Sequence, residues 1–266
     1  MNSMALKSIT ADAGLLSPRR AAGAYLTEMR YEFTRVLRNP AMVLPIVLVP
    51  LALYALFALL IAGEAITKDP VVGTYVFAGM SVMAVTMPCL FGIGASLAME
   101  REMGLMRLKR AQPAPMGSWL IAKITCGMAF SMLAYLPILA LALVTGKLTL
   151  GTGEVIAMSA TLLAGAVPYC ALGLMIGTLA SGSAAPGFAI LLYLPGCYLS
   201  GMFFPLPESM SWEKPIWPQF HIDQLAMHAA GVTKYPLFPA QLSIAMLLGF
   251  TVLFSGIAVW RLARKG

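Results

Sequence analysis

Charge is what this chain has least of. Only 11% of its 266 residues are Asp, Glu, Lys or Arg, while 59% are hydrophobic. Soluble domains carry about 25% charged residues, so a water-exposed globule is excluded. With a mean hydropathy of +0.82 the chain reads as an integral membrane protein. Histidine is scarce too, with two in all. The four cysteines, Cys89, Cys126, Cys170 and Cys197, sit inside apolar runs without CxxC or disulfide-framework spacing, and read as small packing residues. A phosphate-binding P-loop is missing as well. Gly146-Lys147 lacks the upstream glycine and the following Ser/Thr, so no ATP site is expected in this chain. No serine has a histidine or carboxylate partner at a catalytic spacing, and the chain is not expected to be an enzyme by itself.

The interiors of the apolar runs hold no ionisable residue. Glu64, Lys68, Asp69, Lys147 and Glu154 all fall at their ends. Carriers driven by ion gradients usually bury such groups near mid-membrane, which argues against a proton- or sodium-coupled carrier. The first forty residues lack the short apolar core and small-residue cleavage site of a secretory signal. The first apolar segment is therefore expected to stay as a span.

What the chain does have is long apolar runs. A spanning helix needs about 20 mostly apolar residues, and spans are predicted at about 41–62, 71–98 and 124–145. The next run, 155–207, carries no charge. As one helix it would be roughly 80 Å long, far beyond a hydrocarbon core of about 30 Å. It must fold back, and "SGSAAPG" at 181–187 is the turn, giving spans at 155–180 and 184–203. The last span is 239–260. Of the lysines and arginines, fourteen fall in the N-terminal segment, the 99–123 loop and the tail; Lys68, Lys147, Lys214 and Lys234 fall on the other side. The positive-inside rule then places both termini in the cytoplasm, and explains the basic excess without nucleic acid.

Two segments are not spans. In "AYLTEMRYEFTRVLR", 24–38, Tyr25, Leu26, Met29, Phe33, Val36 and Leu37 fall in an arc of about 120°. This predicts an amphipathic helix over 23–39 that either lies in the membrane interface or packs on the protein. It follows a tail at 1–22. Between the last two spans, 204–236 is rich in proline and aromatic residues. It reads either as short broken helices dipping into the outer leaflet or as an external loop with aromatic anchors. His221, Asp223 and His228 lie there, but Asp223 would point roughly 200° away from His221 on a helix. Two ligands make no structural zinc site, and no metal is expected.

The densest charge lies between two apolar runs, in "MEREMGLMRLKRAQPAPMGSWLIAK", 99–123. This segment resembles the E-R-E-x-G-x-x-x-x-L-x-x-x-P motif, with a later lysine, of ABC-2 type transporter permeases. Glu100, Arg101, Glu102, Gly104, Pro113 and Lys123 occupy its recurring positions; Gln112 departs from the small or hydroxylated residue usual before the proline. "SGMFFP", 200–205, resembles the family's S-G-x-F-F-P segment. The resemblance covers nearly the whole chain. It implies an all-α integral membrane protein with six transmembrane helices, an N-terminal amphipathic interfacial helix and an external re-entrant helical hairpin before the last span. The transmembrane domain would occupy 40–261, with a cytoplasmic tail at 262–266.

The resemblance further implies a permease that pairs with a second chain, as a homodimer, over two separate ATPase subunits that bind ATP and magnesium. The setting is the bacterial cytoplasmic (inner) membrane. The 99–123 loop would supply the coupling helix. Gly104 breaks the second span, and Pro113 and Pro115 stop the short helix after it. A helix over 105–112 would present Leu105 and Leu108 on one side, with Arg107 and Arg110 elsewhere. The other reading is that these charges only fix topology, which leaves Glu100, Glu102 and the Gly/Pro punctuation without a role. Met80, Met83 and Met87, at helical spacing in the second span, are either packing or candidates for the substrate path. The expected cargo is hydrophobic or amphipathic: a drug, natural product or lipid moved outward. The alternatives are a polysaccharide or lipid-linked glycan exporter permease, and a non-transporting membrane assembly subunit.

Overall fold

The computed structural model describes residues 18–111, 115–204 and 206–265, and every regular element among them is helical. Helix α1 is Pro18–Leu37, beginning ahead of the predicted 23. Asn39-Pro40 then separates it from α2, Pro40–Ile61, whose last six residues are a π-helix. A short α3, Gly63–Lys68, leads to α4, Pro70–Glu102. The Asp69 carboxylate caps α4 by accepting the Val71 N–H at 3.1 Å, and Pro70 takes the first helical position, where no N–H is needed. Next come α5, Leu105–Ala111, and α6, Met116–Val144. After them run α7, Thr152–Leu179, and α8, Ala185–Leu199. A 3-10 helix, Glu208–Ile216, precedes α9, Pro218–Ala229, and the chain closes with α10, Ala240–Lys265.

Five of these helices, α2, α4, α6, α7 and α10, are long and apolar enough to cross a membrane. The fifth apolar segment departs from the predicted 184–203. It is helical over Ala185–Leu199 only, about 22 Å at 1.5 Å per residue. Gly201, at φ +79°, takes the left-handed conformation that turns the chain out of the helix. The turn expected in "SGSAAPG" is present, between Leu179 and Ala185.

Burial decides which helix is central. In α4, 83% of the most apolar window is buried, against 22% in α2 and 17% in α10. The exposed flanks of α2 and α10 carry Leu44, Leu48, Leu60, Leu248, Val252 and Val259, an apolar surface that only a bilayer or another apolar partner can cover. α4 therefore forms the axis, packed by α2, α6, α7 and α9. It is not a uniform helix. Pro88 has no N–H to give, and the ladder widens into a π-turn over Pro88–Gly92. Against that turn α7 comes backbone to backbone. A Cβ added at Gly173 would lie 2.6 Å from the Cys89 carbonyl oxygen, and one at Gly177 would lie 2.7 Å from Leu97 Cβ. The small residues of Gly173-x-x-x-Gly177 make that approach possible.

Helix α1 packs on α6, the second of the two arrangements expected for it. Tyr25, Met29, Glu32 and Val36 are buried or half-buried, whereas Leu26, Phe33 and Leu37 form an exposed apolar stripe. Such a stripe suits a membrane interface.

The close contact of α4 and α7 makes a direct test. Gly177→Val forces two methyl groups into a space already filled by Leu97 and the Gly94 carbonyl. Overpacking of this kind costs about 1–3 kcal/mol. The thermal unfolding midpoint in detergent should fall, whereas Gly249→Val, which meets nothing within 4 Å, should leave it within error.

Candidate coupling site

The charge-dense motif begins inside α4 and ends inside α6, so most of its charges hang from rigid helices. Glu100, Arg101 and Glu102 are the last residues of α4. Successive helical residues point about 100° apart, and these three reach three different parts of the fold.

Glu100 points inward and is 4% exposed. Its carboxylate accepts from Lys123 Nζ at 2.8 Å, Arg35 Nη1 at 2.5 Å and Trp119 Nε1 at 3.1 Å. Lys123, on α6, is 2% exposed and gives its other two hydrogens to Glu32 at 3.0 Å and Ser96 Oγ at 3.2 Å. An ammonium has three donors, and all three are used. Glu32, on α1, also accepts from Arg35 Nη2 at 2.5 Å. Lys109, on α5, reaches Glu28 at 3.2 Å and stands 5.4 Å above the Trp119 ring. Glu28, Glu32 and Glu100 thus meet Arg35, Lys109 and Lys123. Charges balance, and the ends of α1, α4, α5 and α6 are joined. A cleft with about 20 Å³ of free volume runs beside the cluster, lined by Glu32, Arg35, Ser96, Lys123 and apolar side chains of α2 and α4. That is room for about one water.

Arg101 turns toward α7, where its Nη1 donates to the Gly177 carbonyl at 2.7 Å. A cation is favourable beside the unpaired carbonyls of a helix C-terminus. Glu102 accepts the Gly182 N–H at 2.8 Å, holding the turn between α7 and α8. Gly104, at φ +74°, then breaks the chain sharply into α5.

Helix α5 runs Leu105–Ala111 and carries Arg107; Gln112 and Pro113 lie outside the described residues. Its inward anchor is Met106, 6% exposed, which the sequence did not single out. Leu105 is half-buried, so it does not share an open face with Leu108, the residue that points out at 64% exposed. Met99 and Met103 are exposed beside it in the chain. The candidates of the second span fare differently. Met80 and Met83 are sealed in the core at 1% and 4% exposure, and Met87 is half-buried, so none lines an open path in this arrangement.

Sequence reasoning missed Glu32, Ser96 and Trp119. One signal was present. On a helical wheel Glu32 falls about 20° from Tyr25, at the edge of the apolar arc of α1, and an acid on a buried arc needs a cation.

The sequence model of the ABC-2 type transporter family matches residues 24–221. The chain belongs to that family. The match takes in every residue of the charge cluster and stops within α9. The chain is also similar to "Putative transport permease YvfS" of Bacillus subtilis (strain 168), at 24% identity over 226 residues, 84% of this chain and 90% of that protein. This ABC-2 protein is a multi-pass membrane protein, and every regular element among its described residues is helical.

A buried charge that loses its partner typically costs about 3–5 kcal/mol. Lys123→Met strands two carboxylates and should lower the thermal midpoint of the ABC-2 protein strongly. Adding Glu100→Gln leaves Glu32 with Arg35 and restores balance. The double variant should therefore be more stable than Lys123→Met alone, a coupling measurable as a double-mutant cycle.

Proposed function

We propose that this chain is the permease subunit of an ABC exporter of the bacterial cytoplasmic (inner) membrane. It moves a hydrophobic or amphipathic molecule outward, a drug, natural product or lipid, on energy from ATP and magnesium bound by two copies of a separate ATPase. A second permease chain, the homodimer partner, completes the path. The observation that carries this reading is the division of labour around Gly104. Before it, Glu100, Arg101 and Glu102 tie the end of α4 to α1, α6 and α7. After it, α5 holds on by Met106 and Lys109 and offers Leu108 outward. A docking element must be exposed where the partner sits and rigidly joined where force is passed on. Family membership supports the ATPase partner.

In this reading the ATPase grips Leu108, with Leu105, Arg107 and Pro113 at the margin of the contact. An apolar anchor inside a charged rim gives a small interface both affinity and register. The buried cluster then carries movement of α5 into α4, the central helix. Topology alone would need only cations; the internal use of Glu100 and Glu102 favours the coupling role.

Two outcomes are expected. Leu108→Asp would bury a carboxylate without a partner in the interface; it should lose the ATPase on copurification while still inserting and dimerising. Retention of full ATPase binding and transport by Leu108→Asp would remove α5 from the coupling role. For orientation, a membrane-impermeant maleimide applied to intact cells should label a cysteine placed at Trp212, 69% exposed, and spare one at Met103, 59% exposed. The reverse pattern would invert the topology. The four native cysteines are buried and should stay silent.

A further inference from the structure

At the other end of α4 from the charge cluster, α9 packs against α4, the first half of α7, α8 and α10. It carries two acceptors that no described residue satisfies. Asp223 is 4% exposed and its Oδ1 has no hydrogen-bond partner. Gln219, one turn earlier, is 1% exposed and its Oε1 has none either. The Gln219 amide nitrogen is committed, donating to the Tyr193 carbonyl at 3.3 Å where Gly196 of α8 leaves space for the side chain. Residues four apart on a helix share a face, so the two orphan acceptors lie along one stripe.

Among the described residues no neighbouring cation pairs with Asp223. From α4, Tyr75 stands within electrostatic reach of Asp223, but its hydroxyl donates to the Gly201 carbonyl. On α9 itself His221 is held by Ser243 at 3.2 Å and the Pro215 carbonyl at 2.8 Å, and His228 by the Phe238 carbonyl at 2.8 Å. From α7, Glu154 is engaged with the Gly151 N–H. From α10, the polar neighbour is Ser243. The 3-10 helix brings Glu213 and Lys214, both half-buried, and α8 brings no charged residue. Among the described residues no ion pair reaches Asp223. Burial alone pushes its carboxyl up to about 7. Buried acids are ordinarily paired; this one waits for a partner.

We propose that Asp223, with the Gln219 carbonyl one turn before it, is the recognition point for a protonated amine on the molecule this permease moves. The inference rests on the permease reading and narrows its cargo to amphipathic amines. An ammonium brings three donors and a positive charge, which is what the two acceptors lack. A purely apolar cargo would leave both unsatisfied. In the empty protein a proton neutralises Asp223, and the amine displaces it. Amine binding therefore strengthens as pH rises through the titration of Asp223, where the carboxylate becomes available. A neutral cargo gains nothing from that change.

The test uses the full chain in nanodiscs, with its ATPase where that copurifies, and two fluorescent probes. Monodansylcadaverine carries a primary amine; its N-acetyl derivative has the same apolar body without the charge. For a group titrating at about 7, the ionised fraction rises about tenfold between pH 6 and pH 8. Wild type should bind the amine about tenfold more tightly at pH 8 than at pH 6, and bind the acetylated probe more weakly at both. Asp223→Asn keeps the shape, and should bind the amine at least about tenfold more weakly at pH 8, the usual worth of a hydrogen bond to a charged group, with no pH dependence left. That variant should fold normally, because it removes a buried carboxyl whose ionisation the fold disfavours; its thermal midpoint at pH 8 should equal or exceed wild type. Equal binding of the two probes, binding of neither, or an unchanged Asp223→Asn would each overturn the proposal. Failure of an ATPase to copurify would count against the permease reading alone, since probe binding is read on the permease itself.

Discussion

The ammonium of Lys123, closed between Glu32 and Glu100, is the contact on which the arrangement of the motif end depends. A charge this deeply buried is tolerable only when each donor is met and each neighbouring carboxylate has a second cation. Arg35 supplies that second cation to both acids. The requirement fixes α1 against α6, because Glu32 and Arg35 both come from α1. It also fixes the end of α4, because Glu100 comes from there. Apolar packing alone would let these helices slide, since one leucine surface resembles another. A closed set of ion pairs permits one register.

From that register the remaining pieces take their places. With Glu100 turned inward, helical geometry sends Arg101 and Glu102 to other sides, where they cap α7 and the turn after it. With α4 ended at a left-handed glycine, α5 leaves at an angle and returns to the cluster through Lys109. Under the proposed coupling, two features would pass a displacement inward. The π-turn at Pro88–Gly92 lies in the middle of α4, and Gly173 of α7 presses directly on it. The most buried of the five long helices is thus also the one joined to the exposed apolar residues Met103 and Leu108.

Much of the fold was legible in the sequence because its signals are local. Spans follow from runs of apolar residues. The breaks at Asn39-Pro40, Gly104 and the 181–187 turn follow from backbone chemistry at single residues. The amphipathic face of α1 follows from spacing, though spacing made it look like one stripe where the structure divides it into a protein-facing and an exposed side. The length of the fifth apolar segment was not legible, because hydropathy continues past Leu199 while Gly201 ends the helix. Nor was the fate of the motif. The motif's charges could serve as surface rim or internal clamp, and only the meeting of Glu32, 68 positions before Glu100, with Lys123 places Glu100 and Lys123 in a clamp. Long-range pairing of this kind leaves no trace in periodicity. Asp223 shows the converse limit. In the sequence it could be weighed only as a metal ligand, whereas α9 turns it into the protein without a partner among the described residues.

The central claim is that the clamp at the end of α4 transmits what α5 receives. The most direct measurement compares ATPase binding with ATP-driven movement in one sample. Arg101→Ala with Glu102→Ala cuts the ties to α7 and the α7–α8 turn but leaves α5 and the buried cluster intact. A spin label pair, one on α5 at Met103 and one on the outer segment at Trp212, reads distance in the reconstituted complex. The account predicts that the double variant copurifies with its ATPase and hydrolyses ATP, yet shows no nucleotide-dependent change in the distance that wild type displays. A variant that keeps the full distance change would contradict it, and would leave the E-R-E residues as structural ties without a part in coupling.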